Sequence, residues 1–206
     1  WMRTAPIGIL MLDSRFPRIR GDMGHPETWD CPVVYRIVEN ATPERVVKNH
    51  ASGLLAAFVR AAQELEAEGV TAITTTCGFL CLFQKELAAA VRVPVLTSSL
   101  MQVAAINALL PSGKRTGGLT ISDSSLTHEH LAAADVPLTT PMAAPTGHFV
   151  DVILNDKPEL DAEQACVENV QAAQRLVANH SDVGAIVLEC TNMTPYAADI
   201  QRAVNL

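Results

Sequence analysis

The chain has 206 residues, of which 49% are hydrophobic, 4% aromatic and 18% charged, with a formal net charge of −7 and five cysteines. That length admits one domain or two small ones, and the apolar fraction supplies an aliphatic, alanine-rich core. The acidic balance, with no Lys/Arg cluster, excludes a nucleic-acid surface, and no apolar run is long enough to span a bilayer.

The first apolar run, Pro6 to Leu12, ends at Asp13-Ser14 and reads as a buried strand followed by a turn. The stretch from Ser14 to Pro32 is rich in Pro, Gly and charge, and is long for a connector, a length usually reserved for functional or mobile loops. Its Arg15, Arg18 and Arg20 read as solvated charges, one of which could close over an anion with Trp29 as a lid. Val33 to Val38 is a second strand. Thr42-Pro43-Glu44 supplies an N-cap, a proline at the first helical position and an early acid, predicting one helix to about Glu68, closed by Gly69. A strand over Val70 to Thr76 then delivers Cys77, followed by a helix through about Val91. Val93 to Leu96 is the next strand, and Ser98-Ser99 open a helix to Leu110. After a linker at 111–114, Gly118 to Ser124 (GLTISDS) echoes Gly8 to Ser14 (GILMLDS). Asp161 and Gln164 form a capping-box start for a helix to about Asn179, and Val183 to Glu189 is a strand ending at Cys190.

The segment Gly69 to Val93 aligns without a gap on Asp182 to Leu206, placing Val70 on Val183, Ile73 on Ile186 and Cys77 on Cys190. Strands alternating with helices in both copies predict an α/β fold of two pseudo-symmetric domains, 1–98 and 99–206, each a mostly parallel sheet flanked by helices. In the first copy a further strand follows; a terminal strand and helix are therefore expected beyond Leu206.

Ligands of such sheets gather beyond the carboxyl ends of the strands, where Asp13, Ser14, Cys77, Asp123, Ser124 and Cys190 all lie. A proton on carbon beside a carboxylate is weakly acidic, and its removal needs a positioned base. A thiol whose pKa is lowered by a helix N-terminus is such a base, and one thiol per half places an acid/base group on each side of a substrate. Cys31, Cys81 and Cys166 read as buried hydrophobes. Thr76, Gly78, Ser98, Ser99, Thr191 and Asn192 offer donors for a carboxylate; singly each is a helix cap, together they form a site. Asp13 reads equally as a turn residue or as a group orienting the substrate. Cys77 and Cys81 lack the second pair a metal site needs, and His128 and His130 read as surface residues. No cofactor and no metal are expected. Five cysteines without disulfide-framework spacing fit a reducing compartment, and with no signal-peptide pattern a cytoplasmic location is expected.

On Gly8 to Ser14, Thr76-Cys77-Gly78, Val93-Pro94-Val95 and Glu189 to Met193, the chain resembles the cofactor-independent aspartate/glutamate/hydantoin racemase superfamily. The resemblance spans nearly the whole chain. It implies an active site in the cleft between two domains, with Cys77 and Cys190 as paired acid/base residues and Asp13, Ser14 and Thr191 at substrate-binding positions. It implies an isomerase, independent of pyridoxal phosphate, that inverts a carbon alpha to a carboxylate or ring carbonyl, and a homodimer. The chain departs from the amino-acid racemases after the first thiol, where Gly78-Phe79 replaces Asn-Thr, and after the second, where Asn192-Met193 stands; Phe79 and Met193 are expected in the substrate pocket, making it less suited to a zwitterionic dicarboxylate. Alternatives on the same fold are a maleate-type cis–trans isomerase, an arylmalonate-type decarboxylase and an inactive small-molecule binding protein.

Overall fold

A strand with aliphatic residues on both faces needs cover on both sides. IGILML, Ile7–Leu12 (β1), has that cover in the computed structural model of the chain, which describes residues 5–206. The reading of the extreme N-terminus rests partly on residues 1–4 and to that extent lies outside the described residues. β1 pairs in parallel with Val33–Val38 (β2) and with Ala72–Thr75 (β3), and Val95–Leu96 (β4) adds to β3, giving the order β2-β1-β3-β4. A second parallel sheet joins Arg115–Leu119 (β5), Met142–Ala143 (β6) and Val183–Leu188 (β7) in the order β6-β5-β7. The trio β6-β5-β7 repeats the order and direction of β2-β1-β3. The two repeated strands, β3 and β7, occupy equivalent places and each leads into a cysteine.

Leu55–Ala67 (α1) buries Phe58, Ala61, Ala62 and Leu65, a stripe at helical spacing that faces the first sheet. Gly69, at φ +84°, turns the chain out of it. Burial of side chains such as Phe58 and Leu65 stabilises the fold by about 1.5–3 kcal/mol each. The other helices are Gln84–Ala90 (α2), Val103–Leu109 (α3), His128–Ala133 (α4), His148–Leu154 (α5), Ala162–Asn179 (α6) and Ala197–Val204 (α7). Asp161 caps α6 by accepting from the N–H groups of Glu163 and Gln164 at 3.1 and 3.0 Å. The Gln164 side chain reaches Glu168 instead of returning to the cap, so only half of the expected capping box forms. No helix among the described residues is long and apolar enough to cross a membrane.

The single helix expected from Pro43 to Glu68 is two pieces. Glu44–Lys48 is a π turn, and His50, Ala51 and Gly53 adopt φ of 50°, 52° and 74° before α1 begins. Non-glycine residues in that region are strained and persist where the surroundings demand them. Here the break leaves Val46 and Val47 buried and turns Pro43 and Val47 toward the cavity between the two sheets. The segments after the cysteines, Gly78–Phe83 and Thr191–Tyr196, are 3₁₀ turns leading into α2 and α7. In the second, Pro195 has no N–H to donate, which disfavours a regular α-helix there.

Candidate active site

Cys77 and Cys190 come from opposite halves and line one cavity of about 20 Å³, room for roughly one water. Leu12, Phe16, Val47, Ile121 and Ile153 supply its apolar wall, and Thr76, Glu189 and Asn192 its polar one. A cavity of that size admits a molecule larger than water only if its walls part.

Both thiols are almost wholly buried, 8% and 6% exposed. Burial pushes the Cys77 thiol far above its ordinary range, and the Glu189 carboxylate adds to the effect; the Phe79 backbone and the Arg18 charge act in the opposite sense. Cys190 is raised for the same two reasons, with Cys77 and Asp22 adding to them. The expectation of thiols acidified by helix N-termini is therefore overturned. The turns that follow are short, and desolvation outweighs them. Cys190 Sγ lies 3.5 Å from Asn192 Oδ1, placed to donate to it.

Glu189 is 1% exposed and sits against both thiols. Thr120 Oγ1 donates to its Oε2 at 2.8 Å, while Oε1 has no partner among the described residues. Burial raises this carboxyl to about 7, against the Thr120 hydroxyl and the Ile121 backbone, which lower it. A side chain on residue 78 would press on Glu189 Oε1 and stand 2.6 Å from the Glu189 carbonyl oxygen. Gly78 is thus the space into which Glu189 packs.

Arg18 is not the solvated charge expected of it. Its side chain is 7% exposed and forms a 2.9 Å ion pair with Asp22, itself 2% exposed. Its guanidinium lies 4.8 Å above the Phe16 ring and 3.4 Å from Ser14 Oγ and Thr76 Oγ1. Asp22 also accepts from Asn192 Nδ2 and from the Gly24 N–H.

The remaining expected residues divide. Thr191 Oγ1 donates to the Thr76 carbonyl at 2.7 Å, tying the two thiol turns together. Ser98 caps its own turn through the Leu100 N–H, and Ser99 Oγ donates to the Leu188 carbonyl at 2.6 Å. Both line a separate cavity of about 230 Å³ on the other side of Gly78, together with Thr191. Asp13 is exposed and accepts from the Asn40 N–H, so it holds a turn. Asp123 and Ser124 are exposed. Phe79 packs edge-on against His130 at 5.0 Å instead of lining the thiol cavity. His130, expected at the surface, is fully buried: its Nδ1 meets Thr127 in a capping box at the start of α4. His128, on the other face, is exposed as expected. Among the described residues no three His, Cys, Asp or Glu side chains converge as a metal site.

Glu189 and Asp22 were not anticipated as site residues. Glu189 carried a signal, being the one charged residue in the run Val183 to Glu189. Asp22 carried none, because its partners Arg18 and Asn192 meet it only in the folded chain.

The chain is 28% identical over 214 residues to a dimethylsulfoniopropionate lyase of Durusdinium sp. clade D, covering 100% of this chain and 71% of that protein. It is 27% identical over 214 residues to dimethylsulfoniopropionate lyase 7 of Emiliania huxleyi, covering 97% of this chain and 62% of that one. No protein-family model matches. Among solved structures it superposes on a liganded mutant of arylmalonate decarboxylase with a TM-score of 0.64 at 16% identity, covering 98% of this chain and 86% of the other. It superposes on Picrophilus torridus aspartate racemase with a TM-score of 0.54 at 14% identity, covering 98% and 87%. The shared architecture is the aspartate/glutamate racemase fold.

Proposed function

We propose that this chain, built on the aspartate/glutamate racemase fold, is a cofactor-independent enzyme that uses a cysteine to remove the proton alpha to a carboxylate, and that it is a lyase. The observation that carries the reading is the pair of buried thiols, one from each half, lining one cavity beside Arg18, Ser14 and Thr76. The lyase assignment is supported by the names of the relatives, which turn the isomerase expectation toward β-elimination.

The substrate carboxylate is held by Arg18 with the Ser14 and Thr76 hydroxyls. Cys77 is the base, because Arg18 bears on it where Asp22 bears on Cys190, while Glu189 opposes ionisation of both. On dimethylsulfoniopropionate the Cys77 thiolate takes the Cα proton. The C–H electron pair becomes the Cα=Cβ bond, and the Cβ–S bond breaks with its pair on sulfur. Acrylate and dimethyl sulfide leave, and the proton on Cys77 passes to solvent. A positioned base of this kind contributes roughly 10²–10⁴-fold in rate.

The second reading is two-base racemisation. It is favoured by the presence of two thiols on one cavity, since elimination needs only one base.

Proton NMR in D₂O separates the two. Protein-dependent appearance of acrylate and dimethyl sulfide establishes the lyase. Deuterium entering Cα of aspartate, glutamate or a 5-substituted hydantoin with inversion, without elimination, establishes the racemase. Loss of CO₂ from an arylmalonate, with neither of the other signals, moves the assignment to a decarboxylase.

A further inference from the structure

We infer that Glu189 is the counter-charge for a cationic group on the substrate, so that the site selects onium carboxylates over uncharged carboxylates of the same shape. The inference rests on the lyase reading for the identity of the onium compound, and otherwise on geometry. Glu189 is buried with one carboxylate oxygen satisfied by Thr120 and the other without a partner. Among the described residues no Lys, Arg or His forms an ion pair with it. A carboxylate taken out of water without a cation is costly, and such groups are ordinarily paired. Its unpartnered oxygen lies against Gly78, where the missing side chain leaves it space, and the residue lines the cavity that holds both thiols.

Near the thiols also stands Arg18, which shares its charge with Asp22 and keeps one guanidinium nitrogen on two hydroxyls. Arg18 reaches Ser14 and Thr76, whose hydroxyl neighbours the Cys77 turn. An unpaired anion that lines the thiol cavity, with a guanidinium beside Thr76, suits a zwitterion whose positive group lies close to its carboxylate. A sulfonium fits that description, as does a quaternary ammonium.

The pairing also relieves the electrostatic obstacle to catalysis. Next to burial, the Glu189 charge does most to hold the thiols in their protonated form. A bound onium group neutralises that charge, so the base ionises more readily with substrate in place than without it.

The test is calorimetric binding in a Cys77→Ala protein, which holds substrate without turning it over. Dimethylsulfoniopropionate is compared with 4-methylpentanoate, which puts an uncharged CH in place of the sulfonium sulfur at nearly the same size. The expected preference for the onium ion is about tenfold or more, the scale of one charge-assisted contact. Addition of Glu189→Gln should abolish it while leaving 4-methylpentanoate affinity essentially unchanged and the protein folded. An onium preference that survives Glu189→Gln overturns the inference, as does the absence of any preference in the Cys77→Ala protein.

Should the Gln variant not fold, the pH dependence in the Cys77→Ala protein decides. Onium affinity should rise as the pH passes through about 7 and Glu189 ionises, while 4-methylpentanoate affinity shows no such rise. The thiols that face Glu189, Cys81 and Cys190, are held above this window, and the Arg18–Asp22 pair lies beside them. A flat onium profile overturns the inference. The lyase reading fails separately: onium binding with the expected preference, but no acrylate from the unsubstituted protein, rejects the reaction and retains the role of Glu189.

Discussion

Thr191 Oγ1 donates a 2.7 Å hydrogen bond to the carbonyl of Thr76, so the residue after one thiol is fastened to the residue before the other. The bond crosses between the two halves of the fold, and both residues are buried. Thr191→Val leaves the Thr76 carbonyl without that partner while keeping the shape of the side chain. The expected cost is about 1–3 kcal/mol in chemical denaturation, with kcat falling more than KM rises, because the spacing of the two thiols depends on this link. A stability loss with unchanged kcat would show that the link only holds the fold.

The two thiols have separable roles. Cys77→Ala should reduce elimination by roughly 10²–10⁴-fold, the usual worth of a positioned base. Cys190→Ala should have a much smaller effect if elimination is the reaction, and an effect as large as that of Cys77→Ala if racemisation is. Steady-state rates of the two variants on one substrate make the comparison.

The Arg18–Asp22 pair is buried on both sides, so removing one partner leaves the other charge stranded. Arg18→Met should cost about 3–5 kcal/mol, and the double variant Arg18→Met with Asp22→Leu should recover part of that loss. In urea unfolding a coupling near zero between the two substitutions would mean that the pair does not act as a unit. Because Arg18 also holds the substrate carboxylate in the proposed function, substrate affinity should stay low in the double variant even where stability returns.

Two buried groups tilt stability in opposite directions with pH. Glu189 has its carboxyl raised by burial from 4.5 to about 7, so the native state favours its neutral form. Its contribution is complete below about 4.5 and is lost as the pH rises through about 7. His130 is lowered from 6.5 to about 4 by burial, with His50 adding to the effect, so the native state favours its neutral imidazole. Its contribution is complete above about 6.5 and is lost as the pH falls toward about 4. Denaturation midpoints measured across this range should flatten on the alkaline side in Glu189→Gln. They should flatten on the acid side in His130→Asn, which keeps an acceptor for the helix cap.

How the sequence and the tertiary structure divide the work can be followed residue by residue. The apolar runs that became β1 and β7 were legible because a strand covered on both faces must be apolar throughout, a local requirement. The repeat that places Cys77 on Cys190 was legible because equivalent strands of the two sheets need similar side chains. The break after Lys48 was not, since nothing in the local propensities calls for positive φ at His50 and Ala51. The state of the thiols was not legible either. A cysteine at the start of a helical turn reads locally as acidified, and only the closure of the two halves buries it and sets Glu189 beside it. Gly78 shows the same division: the sequence records an absent side chain, and the fold shows that Glu189, more than 100 residues away, fills its place. Strand and helix patterns are written in neighbouring residues. Burial, ion pairing and the ionisation of a group depend on residues distant in the chain, and these only the tertiary structure brought together.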